Sequence, residues 1–148
     1  MSETKKEGNE IALSASEENI DIAFTIEEIP DADKLFYRIH KTSLKPDGGI
    51  IPGAIKMIGE GKERGMSTNW SKYSDADTLK SIAKKPEDNG VISFVAGIVR
   101  STKDAIVEHD PKMYNRSHSH ILWSDVNETK VRLKLSNSDY YSWEILYI

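Results

Sequence analysis

The stretch from Asp88 to Trp123, DNGVISFVAGIVRSTKDAIVEHDPKMYNRSHSHILW, constrains this chain most, because its most apolar run leads straight into its densest group of chemically capable side chains. Val91, Ile92, Phe94, Val95, Ala96, Ile98 and Val99 form a β-branched and aromatic run opened by Asn89-Gly90 and closed by Arg100, which predicts a strand covered on both faces. Downstream follow Glu108, His109, Asp110, Asn115, Arg116, His118 and His120, with Pro111 setting a turn among them. Three of the chain's four histidines fall in that interval.

A chain of 148 residues suffices for one ordinary core. Hydrophobic residues at 38% and charged residues at 30% fit a globular domain, and no apolar run approaches the ~20 residues that span a bilayer. With no hydrophobic signal region at the N-terminus, the expectation is a soluble cytoplasmic protein that does not engage membranes. Zero cysteines exclude disulfides and thiolate metal ligands. A net charge of -4 gives no general attraction to phosphate backbones, so no nucleic-acid partner is expected.

Residues 1–19 carry five glutamates against two lysines and bury little apolar surface, which predicts a disordered acidic tail. One α+β domain is expected over 20–148. Ile20, Ile22, Phe24 and Ile26 alternate as in a half-buried strand that Pro30 ends, and Lys34 to His40 alternates likewise, placing Arg38 and His40 on one face. Lys45-Pro-Asp-Gly-Gly49 is a turn, and the glycine-rich sequel Gly59 to Gly65 lacks phosphate-loop spacing. Ser74 with Asp77 predicts a helix start, continued by Leu79, Ile82 and Ala83 and stopped by Pro86. Short strands are expected at Ala105–His109 and Ser117–Trp123. From Val126 to Leu135 a capping pair, Asp125 with Glu128, favours a helix, while Val131, Leu133 and Leu135 alternate as a strand would. Tyr140 to Ile148 reads as a terminal aromatic strand. The sum is a mostly antiparallel sheet of about five to seven strands with about two helices.

Four constellations can carry chemistry. In a strand, His118 and His120 point to one surface, roughly 6.5–7 Å apart at Cα. With His109, Asp110 or Glu108 supplying further donors, they suit a divalent metal; two histidines making ordinary hydrogen bonds are the plainer reading. The same loop, with Asn115 and Arg116, and with Arg38 and His40 as neighbours, is rich in groups that hold a phosphate or carboxylate, so a small anionic ligand or a protein partner is expected there. Trp70 and Tyr73 beside Lys72, Lys80, Lys84 and Lys85 place aromatics near cations, a base-stacking pattern that is also met as a core tryptophan beside a solvated helix face. Tyr140, Tyr141, Trp143 and Tyr147 form either an aromatic edge for a partner strand or inward packing. No spacing identifies a nucleophile with its base.

Three resemblances add expectations. The order Leu35-Phe-Tyr-Arg38, then Ser67-Thr68, then Glu108 or Glu144 is similar to the Arg-Ser-Glu arrangement of ADP-ribosyltransferase-like domains, without their Ser-Thr-Ser and Glu-x-Glu elements. It implies an NAD-using enzyme in which arginine holds the cofactor and glutamate polarises its ribose. His40-Lys-Thr42 and His118-Ser-His120 resemble the paired motifs of two-histidine phosphoesterases, which implies acid and base histidines. The pattern DNGVIS, then VxHxP, then NRSHS resembles small prokaryotic proteins of no established activity, over roughly Leu35 to Trp143.

Overall fold

The computed structural model describes residues 24–147. The acidic tail expected over 1–19 and residues 20–23 of the first expected strand lie outside the described residues. These residues fall into two compact units, residues 24–26 with Pro111–Arg116, and Glu27–Asp110 with Ser117 onward. In the smaller unit the Arg116 guanidinium lies 5.1 Å from the Phe24 ring centroid, and Lys112 and Asn115 bond to each other through their backbones.

The larger unit is α+β, with six antiparallel strands: β1 Lys34–His40, β2 Met66–Trp70, β3 Asn89–Val95, β4 Ala105–His109, β5 His118–Trp123 and β6 Ser142–Ile145. Their order across the sheet is β4-β5-β2-β1-β3-β6. Three helices accompany them: α1 Ala76–Ser81, α2 Ala96–Ser101 and α3 Glu128–Leu135. No helix of the described residues is long and apolar enough to cross a membrane.

Strand parity sets the two faces. Leu35 and Ile39 of β1, Met66 and Trp70 of β2, Ile92 and Phe94 of β3, Val107 of β4 and Ile121 of β5 point into one core. Ala96 and Val99 of α2 and Val131 and Leu135 of α3 close over it. On the opposite face β1 presents Arg38, whose Nη1 donates to the Leu79 carbonyl of α1 at 3.3 Å. Burying a Leu, Ile or Phe side chain contributes about 1.5–3 kcal/mol, so the face that collects these residues decides which way every strand is turned.

Several sequence expectations are corrected. Residues 24–29 form no strand: Ile26 is exposed, and the Glu27 amide donates to a histidine ring instead of a ladder. The apolar run from Val91 ends as a strand at Val95. There the Ala96 and Gly97 amides donate to the Asp33 and Asp31 carbonyls, at 2.9 and 2.8 Å, and α2 begins. Ala96 and Val99 are then buried at helical spacing while Ile98 is exposed. Gly97 permits the turn, since a Cβ there would meet Asp31 at 2.9 Å.

α1 is capped by Asp75, not Ser74: the Asp75 carboxylate accepts from the Thr78 amide at 2.8 Å, and the helix stops at Ser81. In α3 the helical alternative prevails, with Val131 and Leu135 buried four residues apart and Leu133 exposed. The Lys45–Gly49 turn forms as expected, with Gly48 at φ +88°.

Candidate metal centre

β4 and β5 form a hairpin ladder in which His109 lies opposite Ser119 and Glu108 opposite His120. The pairing continues one step further, the Asp110 amide donating to the His118 carbonyl at 2.9 Å. Asp110, His118 and His120 therefore share the face away from the core, Asp110 directly across from His118 and diagonal to His120. Directly opposed Cβ atoms lie about 4.5–5.5 Å apart, and diagonal ones remain within reach of long side chains.

The side chains converge as that register requires. Asp110 Oδ2 lies 3.2 Å from His118 Nδ1 and 3.4 Å from His120 Nε2. One donor atom from each of the three residues fits within 4.8 Å of the other two. The two imidazoles meet edge to face, with centroids 4.8 Å apart. His120 is buried, at 4% exposure, and the Asp110 side chain is 30% exposed, although its Oδ2, which faces the two rings, is itself buried.

Neighbouring strand β2 holds the rings from beside them. Ser67 pairs with His120 in the ladder, and its Oγ lies 3.3 Å from His118 Nε2. His118 Nδ1 lies 2.9 Å from the Asp110 carbonyl oxygen, which can only accept. The neutral ring thus carries its proton on Nδ1, and Nε2 accepts from the Ser67 hydroxyl. Gly65 provides the space for His120, because a Cβ at that position would meet the ring at 2.6 Å.

His109, expected as a third metal ligand, stands on the core face. Its Nδ1 accepts the Glu27 amide at 3.0 Å, and its buried ring lies against Trp70 and Tyr73, with centroids 5.0 and 6.1 Å away. Strand parity decides between His109 and Asp110: Ala105 and Val107 are buried at period two, so His109 follows them inward and Asp110 falls outward. Ser67 and Gly65 were missed as members of the site, because only the pairing of β2 with β5 brings them to it.

The remaining expected site residues are distributed elsewhere. Arg38 and His40 line a cleft with Lys84, Lys85, Asp88 and Asn89, and neither His118, His120, Glu108 nor Glu144 borders it. His40 also has a local task, its Nδ1 accepting the Thr42 amide at 3.1 Å as the cap of a short turn. Asn115 and Arg116 belong to the smaller unit, in the segment Pro111–Arg116. Glu144 accepts from Lys34 and Ser93 at 2.8 and 2.7 Å; the Lys34 ammonium, then the Ser93 hydroxyl, hold its carboxyl below the usual range.

Trp70 is a core residue whose indole donates to Asp33 at 2.9 Å, and Lys72 above its ring pairs with Glu27. Tyr140, Tyr141, Trp143 and Tyr147 pack partly buried against the core, with β6 at the sheet edge.

No family model, curated protein or solved structure matches this chain. The geometry of the site therefore carries its interpretation.

Proposed function

We propose that this chain binds a divalent transition metal, zinc foremost, through Asp110, His118 and His120, and that the remaining coordination position receives a small anionic ligand. The supporting observation is the donor spacing. Ligands about 2.0–2.1 Å from a tetrahedral zinc stand roughly 3.3–3.4 Å from one another. The Asp110 carboxylate lies 3.2 and 3.4 Å from the two ring nitrogens that face it.

Two imidazoles and a carboxylate leave a coordination position for water or substrate, the arrangement of reactive rather than purely structural sites. One carboxylate against a dication leaves a net positive centre, which is why an anion is the expected guest. Were His118 to hold a metal through Nδ1, its ring would carry the proton on Nε2 and donate it to Ser67, so Ser67 would serve both states of the ring. A bound ion would polarise a carbonyl or phosphoryl oxygen, or acidify a bound water. Asp110, His118 and His120 would hold it, and Ser67 would orient the His118 ring.

Calorimetric titration of zinc into the metal-stripped full chain tests this reading. One equivalent should bind in the wild type, and that binding should be lost in the His118→Ala/His120→Ala variant. Equal heats in both proteins would refute it.

A further inference from the structure

The cleft bordered by Arg38, His40, Lys84, Lys85, Asp88 and Asn89, of about 310 Å³, is cationic in a chain whose net charge is -4. Its charges are not cancelled from within. Asp88, the one carboxylate among these residues, is paired with Lys41 at 2.9 Å. Among the described residues Arg38, Lys84 and Lys85 have no salt-bridge partner. The Lys41 ammonium, with a smaller contribution from Lys85, holds the Asp88 carboxyl below its usual range, so these two lysines act on a common region.

The donors are also partly fixed in place. One Arg38 nitrogen is anchored on the Leu79 carbonyl at 3.3 Å, which orients the planar guanidinium and leaves its other N–H groups available. His40 Nδ1 accepts the Thr42 amide, so the neutral ring carries its proton on Nε2, a further donor on the wall. The Lys84-Lys85 segment is tied down where the Asn89 side chain donates to the Lys85 carbonyl at 2.9 Å and Lys80 donates to the Pro86 carbonyl at 2.6 Å. A guanidinium fork, two ammonium groups and an imidazole N–H match the acceptor oxygens of a phosphate.

We propose that this cleft is a second binding site, separate from the metal centre, for a small multivalent oxyanion, either inorganic phosphate or the phosphate of a small monoester. The size of the cleft and the net negative charge of the chain favour a small anion over a polyanion, which the rest of the surface would repel.

Amide and guanidinium NMR shifts, followed while inorganic phosphate or methyl phosphate is titrated into the metal-free full chain, test the proposal and separate its two sources. Saturable shifts centred on Arg38, Lys84, Lys85 and Asn89 are expected, weakening as salt is raised. Arg38→Gln should weaken binding by about tenfold or more, the loss expected for a charged hydrogen-bonded contact. Lys84→Gln/Lys85→Gln, on exposed side chains, should weaken it with the spectrum otherwise preserved. His118→Ala/His120→Ala should bind as the wild type does. Tighter binding of methyl phosphate assigns the site to esters, and equal or weaker binding assigns it to the free ion. Absence of saturable shifts with either probe, or undiminished binding in a folded Arg38→Gln protein, would overturn the proposal.

Discussion

Asp110 stands directly across the β4–β5 ladder from His118: its amide donates to the His118 carbonyl at 2.9 Å and its Oδ2 lies 3.2 Å from His118 Nδ1. The backbone pairing thereby fixes the side-chain pairing, and the centre needs no loop rearrangement to bring these two donors together. Asp110→Asn, which keeps the shape and removes the charge, should weaken zinc binding strongly. Ser67→Ala should weaken it by about 10–100-fold, the usual cost of losing a partner that orients a ligand. Competition titration against a chromogenic chelator measures both. Wild-type affinity in Asp110→Asn would remove the carboxylate from the site.

Gly65→Ala should damage the centre through packing alone. The added methyl would sit 2.6 Å from the ring of His120, which is itself buried. The expected cost is about 1–3 kcal/mol of stability, as for other overpacked cores, together with weakened zinc binding. Urea denaturation and the same chelator competition report the two effects; an unperturbed variant would show that the ring has room to move.

Leu133 and Leu135 test how α3 forms. Leu135 is fully buried and Leu133 is 57% exposed. Leu135→Ala should cost about 2–5 kcal/mol and Leu133→Ala no more than about 0.5 kcal/mol. Equal costs from urea midpoints would favour the alternating strand that the sequence equally allows.

That ambiguity illustrates where the sequence was legible. β1 is readable to its ends, because Leu35, Tyr37 and Ile39 recur at period two between Lys34 and His40, although Phe36 on the other face is buried as well. The segment from Val126 to Leu135 fits both periods, and only the burial of Val131 with Leu135 chooses between them. α2 was hidden inside an apolar run, since its turn depends on the Asp31 and Asp33 carbonyls, which the local pattern does not reveal. The site shows the same division. His118 and His120 stand out by their spacing, whereas the sequence leaves His109, Asp110 and Glu108 all open as further donors, and only the burial of Ala105 and Val107 turns His109 inward and Asp110 outward. Ser67 lies 51 residues from His118, so its place followed only from strand pairing.

Tyr147 should give the protein an alkaline limit. Burial pushes its phenol from an ordinary 10.0 up to about 12, and its hydroxyl donates to the Ile39 carbonyl. A folded pKa above the unfolded one means that the stabilising contribution is complete below pH 10.0 and is lost as pH rises towards about 12. Tyr37 and Tyr141 are raised in the same direction, chiefly by burial, so Tyr147→Phe should reduce this alkaline loss rather than abolish it. Urea midpoints across that range measure the effect, and a phenolate absorbance titration with every tyrosine at its ordinary value would contradict it.

The most direct test of the central claim is the metal content of full-length protein produced without a histidine tag, compared with its His118→Ala/His120→Ala variant. Close to one equivalent of zinc or another divalent transition metal in the wild type, and none in the variant, is the predicted result. Wild-type protein that carries no metal and takes up none when zinc is supplied would contradict the account.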